Sequence, residues 1–250
     1  MLFTLNKIKT NLHRYFRAKR LGISFYSVST FTIPKEFQVS NRRIALDYPL
    51  EEGIFHDFIS IFLDDDYGLE LLQTKNIQSI LDIGGNVGFF SLAAYNKFKH
   101  AKFHIYEPNL ELSDFINKNL NFRNVEHFRE AVGLHSGVVA LQSLGDSNQS
   151  RVINSKAGSL PMISISKAIN KFGDKLDLLK LDCEGSEWEI LEDRNCLNPV
   201  QNITLEYHLW KNNKTHDYAV NLVKENGFRV LRHAPSTDFG LIVGTRNRTN

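Results

Sequence analysis

From residue 77 onward the chain alternates short apolar runs with helix-patterned stretches, and that alternation constrains the fold more than any other feature. The runs are Ser79–Ile83, Lys102–Tyr106, Val125–Phe128, Leu176–Leu181, Ile203–Tyr207, Phe228–Leu231 and Phe239–Val243. Between most of them lie Gly88–Phe98, Leu110–Leu120, Ile165–Lys171, Ser186–Leu191 and Tyr218–Glu225, which carry helical spacing. A strand that is followed by a helix returns to pair in parallel, so the pattern predicts an α/β fold with helices on both faces of the sheet. Only Arg232–Asp238 separates the last two runs, which therefore pair antiparallel. The expectation is a seven-stranded, Rossmann-like sheet, mostly parallel with an antiparallel last strand. Residues 137–155 read as a two-stranded excursion.

The first 50 residues follow a different pattern, and residues 51–250 are expected to form the main domain. Leu2, Leu5, Ile8, Leu12 and Phe16 recur every three or four residues, which predicts an amphipathic helix with Lys7, Arg14 and Arg17 on the other side. Its apolar stripe is expected to pack on the rest of the chain. The alternative is a weak contact of residues 1–20 with an anionic membrane surface, which Lys9 and Lys19 near the stripe argue against. Ile23–Ile44 suggests one or two short edge strands, and Phe55–Leu63 a helix running into Asp64-Asp65-Asp66-Tyr67-Gly68.

Composition narrows the functional classes. A 42% hydrophobic and 23% charged chain can build an ordinary core. Of the 30 basic residues, seven fall within 1–35 without a single acid, leaving 23 against 28 acids in the remainder, a balance of −5. Such a body is a poor general nucleic-acid binder, and no nucleic-acid partner is expected. Two cysteines make no disulfide framework, Lys7, Lys9 and His13 interrupt any signal-peptide core, and no run approaches the ~18 apolar residues of a membrane span. These features predict a reducing, cytoplasmic setting.

Three stretches carry chemistry. In Ile80-Leu-Asp-Ile-Gly-Gly-Asn-Val-Gly-Phe-Phe90 a strand ends on glycines and a helix begins, which lets a ligand approach bare backbone. Asn86 and Phe89 break the dinucleotide fingerprint, and no Gly-Lys-Ser/Thr closes a phosphate loop. Asp82 on the strand repels a pyrophosphate but suits a ligand bearing an ammonium group. In Phe103-His-Ile-Tyr-Glu-Pro-Asn109 a carboxylate, Glu107, ends the next strand, 19 residues after Gly88, where an acid accepts hydrogen bonds from ribose hydroxyls. The third stretch is Leu176–Leu191, in which Lys180 and Asp182 share a strand face, Glu184 lies in the turn, and Glu187 complements the dipole of the next helix.

The three stretches together resemble the FkbM family of S-adenosylmethionine-dependent methyltransferases. The glycine turn is similar to that family's Asp-x-Gly-Ala-Asn-x-Gly, with Gly85 in place of the alanine. Leu178–Glu187 is similar to its Lys-x-Asp-x-Glu-Gly-x-Glu, with Cys183 in place of an aliphatic residue. The likeness covers about residues 67–210. It implies the class I methyltransferase fold and S-adenosylmethionine as cofactor. It also implies that Asp82, Gly84, Gly85, Asn86, Gly88 and the adjoining Phe89 surround the methionine end, that Glu107 and Pro108 meet the ribose, and that Glu130-Ala131 flank the adenine. Known members mostly methylate oxygen on small molecules or sugars, so the implied partner is a small-molecule or saccharide acceptor. A hydroxyl acceptor must lose its proton as the new bond forms. Beyond the fourth and fifth strands the chain offers Asp182, Glu184, Glu206 and His208. Asp182 is expected to face the cofactor as well, and Glu184 with His208 the acceptor. His208 has the unperturbed pKa nearest neutrality. No fixed ligand spacing marks a metal site, and none is assigned. The rival readings are a non-catalytic binding scaffold and a nucleic-acid methyltransferase, against which the absence of an Asn-Pro-Pro-Tyr/Phe motif counts.

Overall fold

The computed structural model describes residues 2–39, 42–72, 77–142, 151–154, 158–210 and 214–246, with side chains of residues 2–7 and 151–154 left aside. The chain opens with helix α1 (Leu2–Arg20), strands β1 (Glu36–Val39) and β2 (Arg42–Ala45), and helix α2 (Glu52–Phe58), which continues into a π-helical turn, Ile59–Asp64. Then follow β3 (Ser79–Ile83), α3 (Phe89–Lys97), β4 (Lys102–Tyr106), α4 (Ser113–Asn119), β5 (Val125–Phe128), β6 (Ala131–Gly133), β7 (Gly137–Gln142), β8 (Arg151–Asn154) and β9 (Leu160–Ser164). The remainder is α5 (Ile165–Asn170), β10 (Leu176–Leu181), α6 (Glu187–Glu192), β11 (Val200–His208), α7 (His216–Glu225), β12 (Arg229–Pro235) and β13 (Phe239–Thr245).

Seven strands form one sheet in the order β12-β13-β11-β10-β3-β4-β5. β5, β4, β3, β10 and β11 pair in parallel. The antiparallel last strand, β13, inserts between β11 and β12 instead of sitting at the edge. Its run Gly240-Leu-Ile-Val-Gly244 is buried, whereas Arg229 and Arg232 make β12 a suitable rim. Every residue of central β10 is buried, as expected of a strand covered on both faces. Alternation along β3 and β10 sends Ile80 and Leu178 into one core layer, with α3 and α4, and Leu81, Ile83, Leu179 and Leu181 into the other, with α5, α6 and α7. The order and the two helical layers make this a class I methyltransferase fold.

The two-stranded excursion of residues 137–155 is β7 paired antiparallel with β8, and β6 and β9, which flank it in the chain, extend the pair into a four-stranded sheet, β6-β9-β7-β8. Two N-terminal readings need correction. β1 and β2 pair only with each other and do not extend the main sheet, because Phe37 and Val39 turn inward onto a phenylalanine cluster. In that cluster Phe37 lies 5.0 Å from Phe62, which lies 4.7 Å from Phe58 and 5.7 Å from Phe89 (ring centroids), so the N-terminal 50 residues share the core of the body. Finally, α1 does not dock through its apolar stripe. Ala18 and the following Leu21 are buried, and Arg14 and Arg17 reach the π-helical turn, while Ile8, Leu12 and Phe16 stay more than half exposed. The half-buried salt link outcompetes the stripe because the receiving surface, Phe62 carbonyl to Asp66, is polar and acidic.

Candidate active site

The glycine turn after β3 is built by backbone geometry. The Gly84 and Gly85 N–H groups both donate to the Tyr106 carbonyl, tying the turn to the end of β4. Gly84 sits at φ +75°, and a Cβ there would lie 1.7 Å from the Asp182 carbonyl oxygen, so no other residue fits. Asn86 follows at φ +48°. Its N–H donates to Glu107 Oε2 at 2.9 Å, and the Asn109 N–H donates to Oε1 at 2.9 Å. Glu107 is buried, and desolvation raises its pKa to about 7 despite these two donors. Each oxygen retains a lone pair for a further donor.

Behind the turn, Lys180 on β10 holds the strand ends together. Its ammonium lies 3.5 Å from Asp82 Oδ1 and 3.2 Å from Asp182 Oδ2, and donates to the Ile83 and Gly84 carbonyls. Burial works against that charge, but Asp182 and Asp82 raise the lysine pKa nonetheless. Asp82 is fully buried, accepts from Ser91 Oγ at 2.6 Å, and stands behind the cavity wall, off its lining. It therefore anchors Lys180 and α3 and does not face a ligand's ammonium group. Gly88 is likewise off the lining and serves as the φ +87° N-cap of α3.

The turn after β10 bends by strain. Glu184 adopts φ +51°, uncommon for a residue with a side chain. Glu187 does more than complement a helix dipole: it is fully buried and its carboxylate accepts from the Cys183 N–H at 3.1 Å and the Gly185 N–H at 2.7 Å. From β11, His208 points Nε2 at Glu184 (3.6 Å) and Glu206 (3.5 Å), and Nδ1 at Glu187 (3.5 Å). Trp188 Nε1 fixes the same residue by donating to its carbonyl at 2.8 Å. Burial disfavours a charged His208, yet Glu187, Glu206 and Glu184 outweigh it and push its pKa far up. Burial, with Asp182, Glu187 and Glu206, raises Glu184 against the pull of His208. The three carboxylates thus favour the charged form of His208. It also stands behind Glu184 and Glu206, off the cavity lining.

Tyr67 belongs to this site although no sequence motif marks it. The π-helical turn ends at Asp65 (φ +57°), whose carboxylate accepts from the Leu69 and Glu70 N–H groups, and this knot turns Tyr67 inward. The Tyr67 hydroxyl lies 3.0 Å from both Asp182 Oδ2 and Glu206 Oε2. Burial and the neighbouring Asp182 raise the Glu206 pKa, against the pull of His208 and the Tyr67 hydroxyl.

One cavity joins these pieces, with about 1040 Å³ of empty space including its open mouth. Gly84, Gly85, Asn86, Phe89, Glu107, Pro108, Glu130, Ala131, Asp182, Glu184 and Glu206 line it, as their places in the sequence imply. Asp57, Ser60, Ile61 and Leu141, which lie in no motif, complete the wall.

The sequence matches the methyltransferase FkbM domain over residues 82–230, more than half of the chain. The chain belongs to the FkbM methyltransferase family. Membership implies S-adenosylmethionine as methyl donor, and the site fits that molecule. The cavity is acid-lined, as a cation requires, and it runs from a bare glycine turn past a buried carboxylate to Glu130-Ala131. None of the curated proteins matches the sequence. Among solved structures, precorrin-6y C5,15-methyltransferase of Geobacter metallireducens is similar at 14% identity, with TM-score 0.47, over 82% of this chain and 94% of that one. The fibrillarin pre-rRNA processing protein of Methanococcus jannaschii shares 12% identity with TM-score 0.48, over 88% and 84%. An O-methyltransferase family protein of Burkholderia thailandensis shares 11% with TM-score 0.45, over 79% and 60%. Likenesses this distant do not bear on the acceptor.

Asp182, Glu184 and His208 of this FkbM methyltransferase offer ligand-type atoms within 4.8 Å of one another. Within that set His208 Nε2 lies 3.6 Å from Glu184 Oε2, and a metal held there would need the imidazole in its neutral form.

Proposed function

We propose that the protein transfers a methyl group from S-adenosylmethionine to a hydroxyl oxygen of a small molecule or saccharide, through the domain spanning residues 51–250. The observation that carries this reading is Glu184: a cavity-lining carboxylate with a raised pKa, held against a buried imidazolium at the open end of β10. S-adenosylmethionine, when bound, supplies an electrophilic methyl on a positively charged sulfur. Asp182, anchored by Lys180 and Tyr67, presents negative charge to that side of the cavity. Glu107 accepts from ribose hydroxyls with its remaining lone pairs, and Glu130-Ala131 border the adenine. Glu184 would take the proton that the acceptor hydroxyl releases as its oxygen bonds to the methyl carbon, the bond from that carbon to sulfur breaking with S-adenosylhomocysteine as the leaving group. A carboxyl whose pKa lies near working pH suits that task better than one at the ordinary value. His208 is a positioning residue: it orients Glu184 and Glu206 without touching the cavity. Alignment of the two reactants between Asp182 and Glu184 supplies much of the remaining acceleration.

The test is turnover of Glu184→Gln on an acceptor found by screening hydroxylated small molecules and saccharides. We expect kcat to fall by about 10²–10⁴ with unchanged affinity for S-adenosylhomocysteine. Full turnover in that variant removes Glu184 from the chemistry. Methylation of nitrogen or carbon acceptors only, with hydroxyls untouched, overturns the oxygen assignment.

A further inference from the structure

We infer that the outer face of α1 is a seat for a membrane surface bearing anionic lipid. The helix is amphipathic in the inverse of the usual sense for a packed element. Its inward side is held by polar links: Arg14 makes a two-pronged bond to Asp64, 2.6 Å at each prong, and Arg17 donates to the Phe62 carbonyl at 3.0 Å. Its outward side is apolar. Ile8 is 60% exposed, Leu12 53%, Tyr15 42% and Phe16 53%. Positions i, i+4, i+7 and i+8 fall within about 100° of arc, so the four side chains make one continuous stripe.

The occupant follows from charge. Lys9 and Arg20 are exposed along one edge of that stripe, Lys19 is exposed within its arc at the C-terminal end, where its long stem carries the ammonium past the apolar side chains, and no acid occurs in residues 1–35. A second copy of this helix would set cation against cation, so the face does not suit self-pairing. An apolar stripe with cations along one edge and at its end suits a plane in which hydrocarbon underlies anionic headgroups. The helix lies flat there, its stripe in the acyl boundary and its lysines and arginine reaching up to the headgroups. Among the described residues no helix is long and apolar enough to cross a membrane, so the contact is peripheral. The two basic residues that would strengthen an isolated peptide's binding, Arg14 and Arg17, instead fix the helix to the body. That fixation presents the stripe rigidly, on the outside of the same π-helical turn whose Ser60 and Ile61 line the cavity.

The experiment uses the full chain and large vesicles of phosphatidylcholine alone or mixed with phosphatidylglycerol, separated by sedimentation at low and high salt. We expect the protein to pellet with the mixed vesicles, to remain in solution with phosphatidylcholine alone, and to be released by salt. Leu12→Gln with Phe16→Gln should weaken vesicle binding by about tenfold or more, since two apolar side chains no longer enter the boundary. Lys19→Glu with Arg20→Glu should do likewise. The glutamine variant should melt close to the wild type and the glutamate variant somewhat lower, because Lys19 and Arg20 stand in the last turn of α1; both should keep the wild-type affinity for S-adenosylhomocysteine, because none of the four residues lines the cavity. Three results would overturn the inference: no pelleting of the wild type with the mixed vesicles, equal pelleting of the glutamine variant, or lipid-free self-association that Leu12→Gln with Phe16→Gln abolishes. The last would assign the face to a second copy.

Discussion

Replacing Lys180 by methionine probes the construction of the site most directly. The ammonium is almost wholly buried, and it is the charged partner of Asp82 Oδ1, an oxygen that has no hydrogen-bond donor of its own. Asp182 lies on its other side at 3.2 Å. Methionine fills most of the lysine stem's volume, so the cost is electrostatic rather than a cavity. Removing one member of a buried pair leaves an uncompensated charge and costs about 3–5 kcal/mol. Neither Lys180 nor Asp82 is solvent-exposed, so the figure takes no discount for screening. For a chain of this length each kcal/mol lowers the melting temperature by about 2–4 °C, which gives a fall of about 6–20 °C in calorimetry. The double variant Asp82→Asn, Lys180→Met removes the orphaned charge along with its partner. It should recover part of the loss, with a coupling of about 0.5–3 kcal/mol between the two positions. Affinity for S-adenosylhomocysteine should drop in both, because Lys180 also holds the Ile83 and Gly84 carbonyls at the start of the glycine turn. A single variant that melts within about 2 °C of wild type, or a double variant as unstable as the sum of its parts, refutes the argument.

Glu107→Ala strands the N–H groups of Asn86 and Asn109, and should cost about 2–4 kcal/mol of stability besides weakening S-adenosylhomocysteine binding, as read by calorimetry. Glu107 carries a pKa raised to about 7, so the free protein is favoured below the ordinary carboxylate value and loses that contribution as pH rises through about 7. Ligand affinity should move the opposite way, rising with pH over the same interval, because ribose donors prefer the carboxylate; Glu107→Ala should flatten that profile. For turnover, the rising limb of the pH–kcat profile should lie nearer 8 than the ordinary 4.5 of a glutamate and vanish in Glu184→Gln. Treatment with EDTA should leave turnover unchanged; loss restored by added Mg²⁺ would show that His208 gives up its proton to a metal.

Periodicity reveals the sheet because its inner strands are buried, and burial writes itself into composition: Leu176–Leu181 reads as a strand from sequence and is one. The same logic misplaces α1. The stripe Ile8, Leu12, Phe16 predicts an inward face only if the surface waiting for it is apolar, and here the waiting surface is the Asp64–Asp66 run and a carbonyl. Helical periodicity finds a stripe but not which side of the helix a neighbour chooses. The site shows the same boundary between local and non-local information. Asp82, Gly84, Asn86, Glu107 and Asp182 sit at strand ends, where local sequence already fixes position relative to the sheet. Tyr67 reaches Asp182 and Glu206 across 115 and 139 residues of chain, and its direction is set by a π-helical turn and a left-handed Asp65, neither of which has a spacing signature. His208 stands at the end of β11, as its position in the sequence implies, yet its charge state depends on three carboxylates that approach it from outside its own ring. The ordinary pKa of a histidine therefore does not carry over to this position. A residue's type and strand position locate it; its protonation is a property of the assembled neighbourhood, and here three carboxylates favour the charged imidazole while burial raises Glu184, which is the basis on which the proton-accepting role is proposed for Glu184.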